Sequence, residues 1–253
     1  MRYIVIRLNG YAGNQFFQIA NALGRAKKND KILLDTYVFK RTAFTYGLKD
    51  FLLGNRISLP KSFFDKLIVI LSRTSFLLTR KFPKSIQQAF GNVTENSTLY
   101  SSDYYYSNKL CVNYINGNWM SEKYFPSENI IRKNIKLKFF ENIASEYSLL
   151  DKSISVAVHI RLGDYLDPKY KDSLFTCNED YFYKSLSYCE KFLGKKLNFY
   201  IFTNSDSDFN YIKSNWLKLK VFNLQRLSAR TFQEDLFAMS LFKNIIISNS
   251  TFS

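Results

Sequence analysis

The stretch VAVHIRLGDYL, residues 156–166, decides how the second half of the chain is read. An apolar run over residues 154–160 carries the one histidine of the sequence, His159, and gives way to Arg161, Gly163 and Asp164. A short apolar run bounded by a glycine loop reads as a buried strand. The segments C-terminal to it supply its neighbours. Residues 179–193 place Phe182, Leu186, Cys189 and Leu193 at helical spacing, and Gly194 then offers a left-handed stop. NFYIF (198–202) reads as a second strand, a helix is expected near 208–217, and KVFNL (220–224) reads as a third strand. A helix over 232–243 and a strand NIIIS (244–248) complete the pattern. Strands alternating with helices imply an α/β class with a parallel sheet. Ligands of such sheets lie outside the carboxyl ends of the strands. The loops HIRLGD, TNSDSD and NSTFS each come after a strand, so strand order alone gathers them into one candidate site.

The first half opens on a strand over 3–8, a loop NGYAGN and a helix starting near Gln15. Residues 30–120 give only short candidates, and one helix is expected over 127–147. The chain is therefore expected to divide into an N-terminal domain 1–150 and a C-terminal domain 151–253. The N-terminus alternates apolar residues with arginine before a glycine loop, which is the pattern of a strand and not of a signal peptide. The most apolar window, KLIVILSRTSFLL (66–78), is interrupted by Arg73 and is too short to span a bilayer. It reads as a core helix, or as a basic amphipathic helix lying on a membrane. Lys61, Lys66, Arg73, Arg80, Lys81 and Lys84 surround it.

The 253 residues are 46% hydrophobic and 17% aromatic, enough for a large core. A net charge of +15 implies anionic company: nucleic acid, a phosphorylated ligand or an acidic membrane. The charge is scattered and no zinc-finger or RNP-type pattern occurs, which argues against nucleic acid. Cys111, Cys177 and Cys189 have no CxxC spacing, so a reducing compartment is expected, with no disulfide framework or zinc site.

Several residues carry candidate chemistry, each beside a structural alternative. Arg161 at a strand end offers a planar fork for phosphate oxygens, or a salt bridge to Asp164. Ser250 and Thr251 add hydroxyls past the last strand, and with Arg161 they suit a diphosphate. Thr231 and Glu234 form a T-x-x-E capping box, which explains Glu234 structurally. Asp235 either complements the helix dipole or reads guanine, whose ring N–H and exocyclic amine one carboxylate can accept together. Asn14 and Gln15 sit at a helix start, where amides bind sugar hydroxyls or an anion, or where Asn caps a glycine turn. Asp206 and Asp208 approach a DxD metal pattern, but helix-start chemistry explains them as well.

Four blocks, in order, resemble the bacterial α-1,2-fucosyltransferases, glycosyltransferase family 11: GYAGNQFFQIANALGRA, GNWMSEKYF (117–125), HIRLGDYL and EDLFAMSLFKNIIISNSTFS. The resemblance implies a GT-B-like architecture of two Rossmann-type domains with the donor half at the C-terminus. It implies transfer of L-fucose from GDP-L-fucose to the 2-hydroxyl of a galactoside, with inversion and without a metal or other cofactor. Carried onto matching positions, it gives His159 and Asp235 to the guanine, and Arg161, Ser250 and Thr251 to the diphosphate. Asn14 and Gln15 would lie near the fucose or acceptor. Arg161 would stabilise the departing diphosphate, and Asp164 is the first candidate for general base, or else the brace of Arg161.

The chain departs from the family at FTNSDSD, where relatives carry an FSDD-like segment, and it stops at Ser253, where they continue. A truncated chain of low activity or stability is therefore expected. Three other readings stay open: a different GDP-sugar or linkage, a basic polyanion-binding protein, and an inactive relative. The expected setting is the bacterial cytoplasm, peripheral to the inner face of the membrane, with an O-antigen repeat unit on a lipid as acceptor.

Overall fold

A computed structural model describes residues 1–41, 47–48, 51–95, 100–101, 110–162, 177–227 and 231–250. The chain divides into two compact units, Met1–Leu137 and Lys138–Ser253. The division falls earlier than residue 150 because the helix over residues 141–148 packs with the second unit. Its Tyr147 ring meets Phe242 edge-on at 5.0 Å.

The first unit is built on five strands: β1 (Tyr3–Arg7), β2 (Lys31–Asp35), β4 (Ile57–Ser58), β5 (Asn92–Thr94) and β6 (Val112–Asn116). All pair in parallel, in the order β4-β2-β1-β6-β5. Helix α1 (Ala12–Arg25) begins at Ala12, three residues before the expected start, so Asn14 and Gln15 lie inside its first turn and Tyr11 holds the cap position. A short antiparallel pair joins β3 (Phe51–Leu53) to β7 (Ile135–Leu137). That pairing splits the single helix expected over 127–147 into α4 (Glu128–Asn134) and α5 (Glu141–Ser148). Asn134 ends α4: its side chain turns back to Ile130 O at 2.8 Å, and its own carbonyl accepts from Gly54 N at 2.7 Å.

Helix α2 (Phe63–Thr79) covers one face of this sheet, with Ile68, Val69 and Phe76 against Val5, Leu33 and Tyr114. Arg73 does not interrupt that packing. It donates through Nε and Nη2 to the two oxygens of buried Asp35, both at 2.9 Å, and its guanidinium lies over the Tyr37 ring at 4.1 Å. Tyr114 donates its hydroxyl to the same carboxylate at 2.8 Å, and burial, then Asp35, raise its phenol far above the usual range. The short α3 (Lys84–Ala89) comes after α2.

The second unit has the parallel sheet β10-β9-β8-β11: β8 (Ser155–His159), β9 (Asn198–Phe202), β10 (Asn223–Gln225) and β11 (Ile245–Ile246). Helix α6 (Glu179–Leu193) closes on Gly194, whose φ of +67° is left-handed, as its glycine predicts. Along β9, Phe199 and Ile201 join Phe182 and Leu186 of α6 in one core. Tyr200 and Phe202 alternate to the other face, against Phe242. Helices on both faces make the sheet doubly wound.

Two strands differ from expectation. Residues Leu217–Val221 form a 3₁₀ helix, and β10 begins only at Asn223. Trp216, Leu219 and Phe222 all pack on the core, a three-residue spacing that suits a 3₁₀ turn. The last strand keeps only Ile245–Ile246 because it is an edge strand, half-exposed at Ile245 and Ile247. Helix α7 (Asp206–Asn215) starts two residues early, and α8 (Phe232–Leu241) carries the expected capping box. Among the described residues, no helix is long and apolar enough to cross a membrane.

Asp35 ties β2 to α2 and β6, and losing it leaves the Arg73 guanidinium and the Tyr114 hydroxyl short of an acceptor. Asp35→Ala is expected to destabilise the chain by about 3 kcal/mol, and Tyr114→Phe by about 1 kcal/mol, in urea unfolding. Equal, small losses for both would show that the carboxylate does not hold these elements together.

Candidate active site

Strand order determines where a ligand can sit in the second unit. From β8 the chain crosses through α6 to β9 on one side, and it later returns to β11 on the other. The gap between β8 and β11 is therefore a topological switch point, the place where open parallel sheets take their ligands. His159 stands at the carboxyl end of β8, and Ser248 lies just past β11. The Ser248 hydroxyl is 3.3 Å from His159 Nδ1, both side chains being buried. Burial, and then the positive charge of Arg161, push the His159 imidazole down to about 4. It is neutral at physiological pH, with one ring nitrogen to donate and one to accept. Arg161 lies two residues on, half-buried at the same end of the strand.

The second cluster lies on the β9 side. His159 is level with Phe202 in the β8–β9 ladder, and Ile160 N donates to Phe202 O at 2.9 Å. One residue further, Thr203 faces a small pocket lined by Ile201, Phe202, Thr203, Arg226, Leu227 and Asp235. Each polar member has its own origin. Thr203 is the first residue after β9, Arg226 the first after β10, and Asp235 lies in the first turn of α8. Thr203 Oγ1 is buried and has no hydrogen-bond partner among the described residues. A buried hydroxyl in that condition is costly unless something else answers it.

Sequence reasoning put Asp235 at this site and named the loop that starts with Thr203, but singled out neither Thr203 nor Arg226. The signal for Thr203 was its place, first after a strand of the sheet. Arg226 has none, because the sequence pattern ends its strand at Leu224 while β10 runs Asn223–Gln225. It steadies the neighbouring loop: Nη1 donates to Ser205 O at 3.2 Å, and the guanidinium lies over Phe209 at 5.8 Å. Its Nε stands 2.7 Å from Asp206 Oδ1, close enough for an ion pair, although the N–H is not aligned as a hydrogen bond. Asp206 thus serves the arginine. The helix cap beside it is Ser205, which accepts from Asp208 N at 3.2 Å.

Of the other expected residues, Ser250 is half-buried in the loop after β11. Asp164 and Thr251 lie outside the described residues. Thr231 and Glu234 form the reciprocal cap: Glu234 Oε2 accepts from Thr231 N at 3.0 Å. In the first unit, Gln15 is fully buried. Its Nε2 donates to Gly10 O at 3.0 Å and its Oε1 accepts from Gly47 N at 3.1 Å, so its amide frames the glycine loop. Gln18 and Asn9 do the same a turn later, at 2.9 and 3.1 Å. Asn14 is half-buried and folds over Gly10, whose φ of +68° and lack of a Cβ admit the amide. The switch point of this sheet, between β1 and β6, is bridged by Arg7 Nη1 and Asn116 Oδ1 at 3.3 Å.

Comparison with known proteins gives the site its context. The chain is 28% identical, over 264 aligned positions, to a protein named alpha-1,2-colitosyltransferase from Escherichia coli, covering 100% of this chain and 86% of that one. Among solved structures, POFUT1 in complex with GDP aligns at 12% identity with a TM-score of 0.48, covering 99% of this chain and 92% of that one. A POFUT1 complex with GDP-fucose aligns at 13% identity and a TM-score of 0.45, with 99% and 92% covered. The family model described as glycosyl transferase family 11 matches residues 3–253, and the chain belongs to that family.

Proposed function

We propose that this glycosyltransferase moves L-fucose from GDP-L-fucose to the 2-hydroxyl of a galactoside, forming an α-1,2 linkage with inversion. The observation that carries the reading is a neutral buried imidazole at a sheet's switch point, beside a pocket that holds a carboxylate and a buried hydroxyl with no partner among the described residues. Asp235 accepts from the N–H edge of guanine, and His159, uncharged, holds the base beside it. Arg161 and Ser250, with Thr251, take the diphosphate. The acceptor oxygen attacks the anomeric carbon, the bond to the β-phosphate oxygen breaks, and its electrons leave with GDP. Arg161 offsets the charge that develops there. The acceptor proton passes to a base, for which Asp164 is the residue to test. On the acceptor side Asn14 is the better candidate, since the amide of Gln15 frames its own loop.

The relative named for α-1,2-colitosyl transfer supports the linkage. It also favours a second reading, in which the donor carries colitose in place of fucose.

The direct test offers GDP-fucose and GDP-colitose with a panel of galactosides and identifies the substituted hydroxyl by NMR. Transfer to the 2-position is expected, with UDP binding at least about tenfold more weakly than GDP, a difference of ~1.4 kcal/mol. Transfer to another hydroxyl, or equal binding of UDP, would remove the linkage or the role of Asp235.

Thr203→Val keeps the shape of the side chain and removes the hydroxyl. Melting temperature is expected to hold or rise slightly while GDP affinity falls about five- to tenfold, the worth of one hydrogen bond. Unchanged affinity would mean the hydroxyl does not meet the nucleotide.

The imidazole makes a separate prediction. Its folded value of about 4 lies below the ordinary 6.5, so between these pH values the unfolded chain binds a proton that the native state does not. That contribution is complete above the unfolded value and is lost as pH falls towards the folded one. Between about pH 7 and pH 5 the parent chain should lose ~2 kcal/mol more stability than His159→Asn. Parallel pH profiles would place the histidine in water.

A further inference from the structure

Helix α2 is apolar on both sides. The face turned to the sheet holds Ile68, Val69 and Phe76. At 100° per residue, the opposite face carries Phe63, Phe64, Ile70, Leu71, Leu77 and Leu78. Those six are 48–82% exposed. A helix that is hydrophobic all round is ordinarily buried all round, and single exposed apolar residues need no explanation, but a contiguous face does. The exposure continues past the helix at Phe82 and Phe90, 53% and 62% exposed.

The charges around this face are of one sign. From residue 59 to 94 the basic residues are Lys61, Lys66, Arg73, Arg80, Lys81 and Lys84, and the only acid is Asp65. Asp65 is buried and already paired: Lys31 Nζ donates to its oxygens at 2.7 and 2.8 Å, and that bond chiefly holds its carboxyl below the usual range. Arg73 is likewise committed, to Asp35. Lys61, Lys66, Arg80 and Lys81 remain exposed at the rim of the apolar face.

We propose that the outer face of α2, with its basic rim, is a docking site for an anionic lipid bilayer, on which the helix lies in the plane of the headgroups. A seventeen-residue helix is about 25 Å long, enough to lay four turns on the surface. The apolar face enters the acyl boundary, and the lysines and arginines meet lipid phosphates. A second copy of the chain fits less well. Joining the same face of two molecules would crowd their basic rims together, with no exposed acid in residues 59–94 of either to answer them. The proposal rests on α2 alone and not on the transferase reading.

Sedimentation with vesicles of phosphatidylethanolamine and phosphatidylglycerol tests it without any donor or acceptor. The full chain is expected to bind these vesicles, to bind phosphatidylcholine vesicles much more weakly, and to be released by salt. Leu71→Glu with Leu78→Glu, on the outer face, should lower partitioning at least about tenfold while the melting temperature is kept. Lys66→Glu with Lys81→Glu should lower it for the anionic vesicles only. No binding, or binding that neither pair weakens, overturns the proposal. A dimer that the leucine substitutions dissociate, in a chain that ignores vesicles, also overturns it and gives the face to a second copy.

Discussion

Strand β8 is buried at all five residues and paired in parallel on both sides. The placement of chemistry in the second unit depends on that constraint. The chain leaves β8 for β9 on one side and returns to β11 on the other, so the carboxyl end of β8 opens onto a crevice the crossing helices cannot fill. The residue at that end has two options: to be apolar and wasted, or to be polar and held by its neighbours. His159 is the second case. Its desolvation is the dominant influence on it, and Arg161 adds to the same direction. An imidazole that stays neutral can recognise a base by hydrogen bonds without placing a second cation beside the arginine. On the proposed reading the histidine would supply hydrogen bonds to the base and the arginine would supply charge.

The same logic explains why several elements of the second unit are legible in sequence and others are not. Continuous apolar runs such as residues 154–160 and 198–202 have one reading when flanked by helical periodicity, and β8 and β9 lie where that reading puts them. Gly194 and the Thr231–Glu234 cap act through the backbone within a few residues, so sequence displays them directly. Residues 217–221 fail on both grounds. Their alternating leucines and lysines mimic a strand, whereas the three-residue spacing of Trp216, Leu219 and Phe222 is what the core selects. The split between α4 and α5 depends on β7 meeting β3, a partner more than eighty positions away that no local pattern announces. Thr203 was hidden differently: threonine after a strand is ordinary, and only the lack of a partner for its buried oxygen among the described residues marks it out.

Amides at the start of α1 show how a motif can mislead about role. The GNQ stretch looks like a set of outward donors at a helix start. In the fold, Gln15 and Gln18 turn inward and hold the backbone of the loop between β1 and α1. A loop fixed by two glutamine side chains can present Asn14 and the nearby β1–β6 crevice in a set geometry. Motif residues turned inward in this way help decide where the neighbouring residue points.

Arg73 makes the corresponding point for α2. In sequence it is a charge in the middle of the most apolar window, which weakens any membrane reading. In the fold the guanidinium reaches sideways to Asp35 and lies on Tyr37, so its charge is answered on the sheet side of the helix. The outer face keeps its apolar character because the arginine is committed elsewhere. The Arg73–Asp35 pair, together with Lys31–Asp65, thus holds the rotation of α2 about its axis and helps decide which side chains are left facing out. Were α2 turned by half a revolution, Phe63, Leu71 and Leu78 would turn to the sheet and Ile68 and Phe76 would face water. The two charge pairs to β2, with their strict partner geometry, distinguish these alternatives.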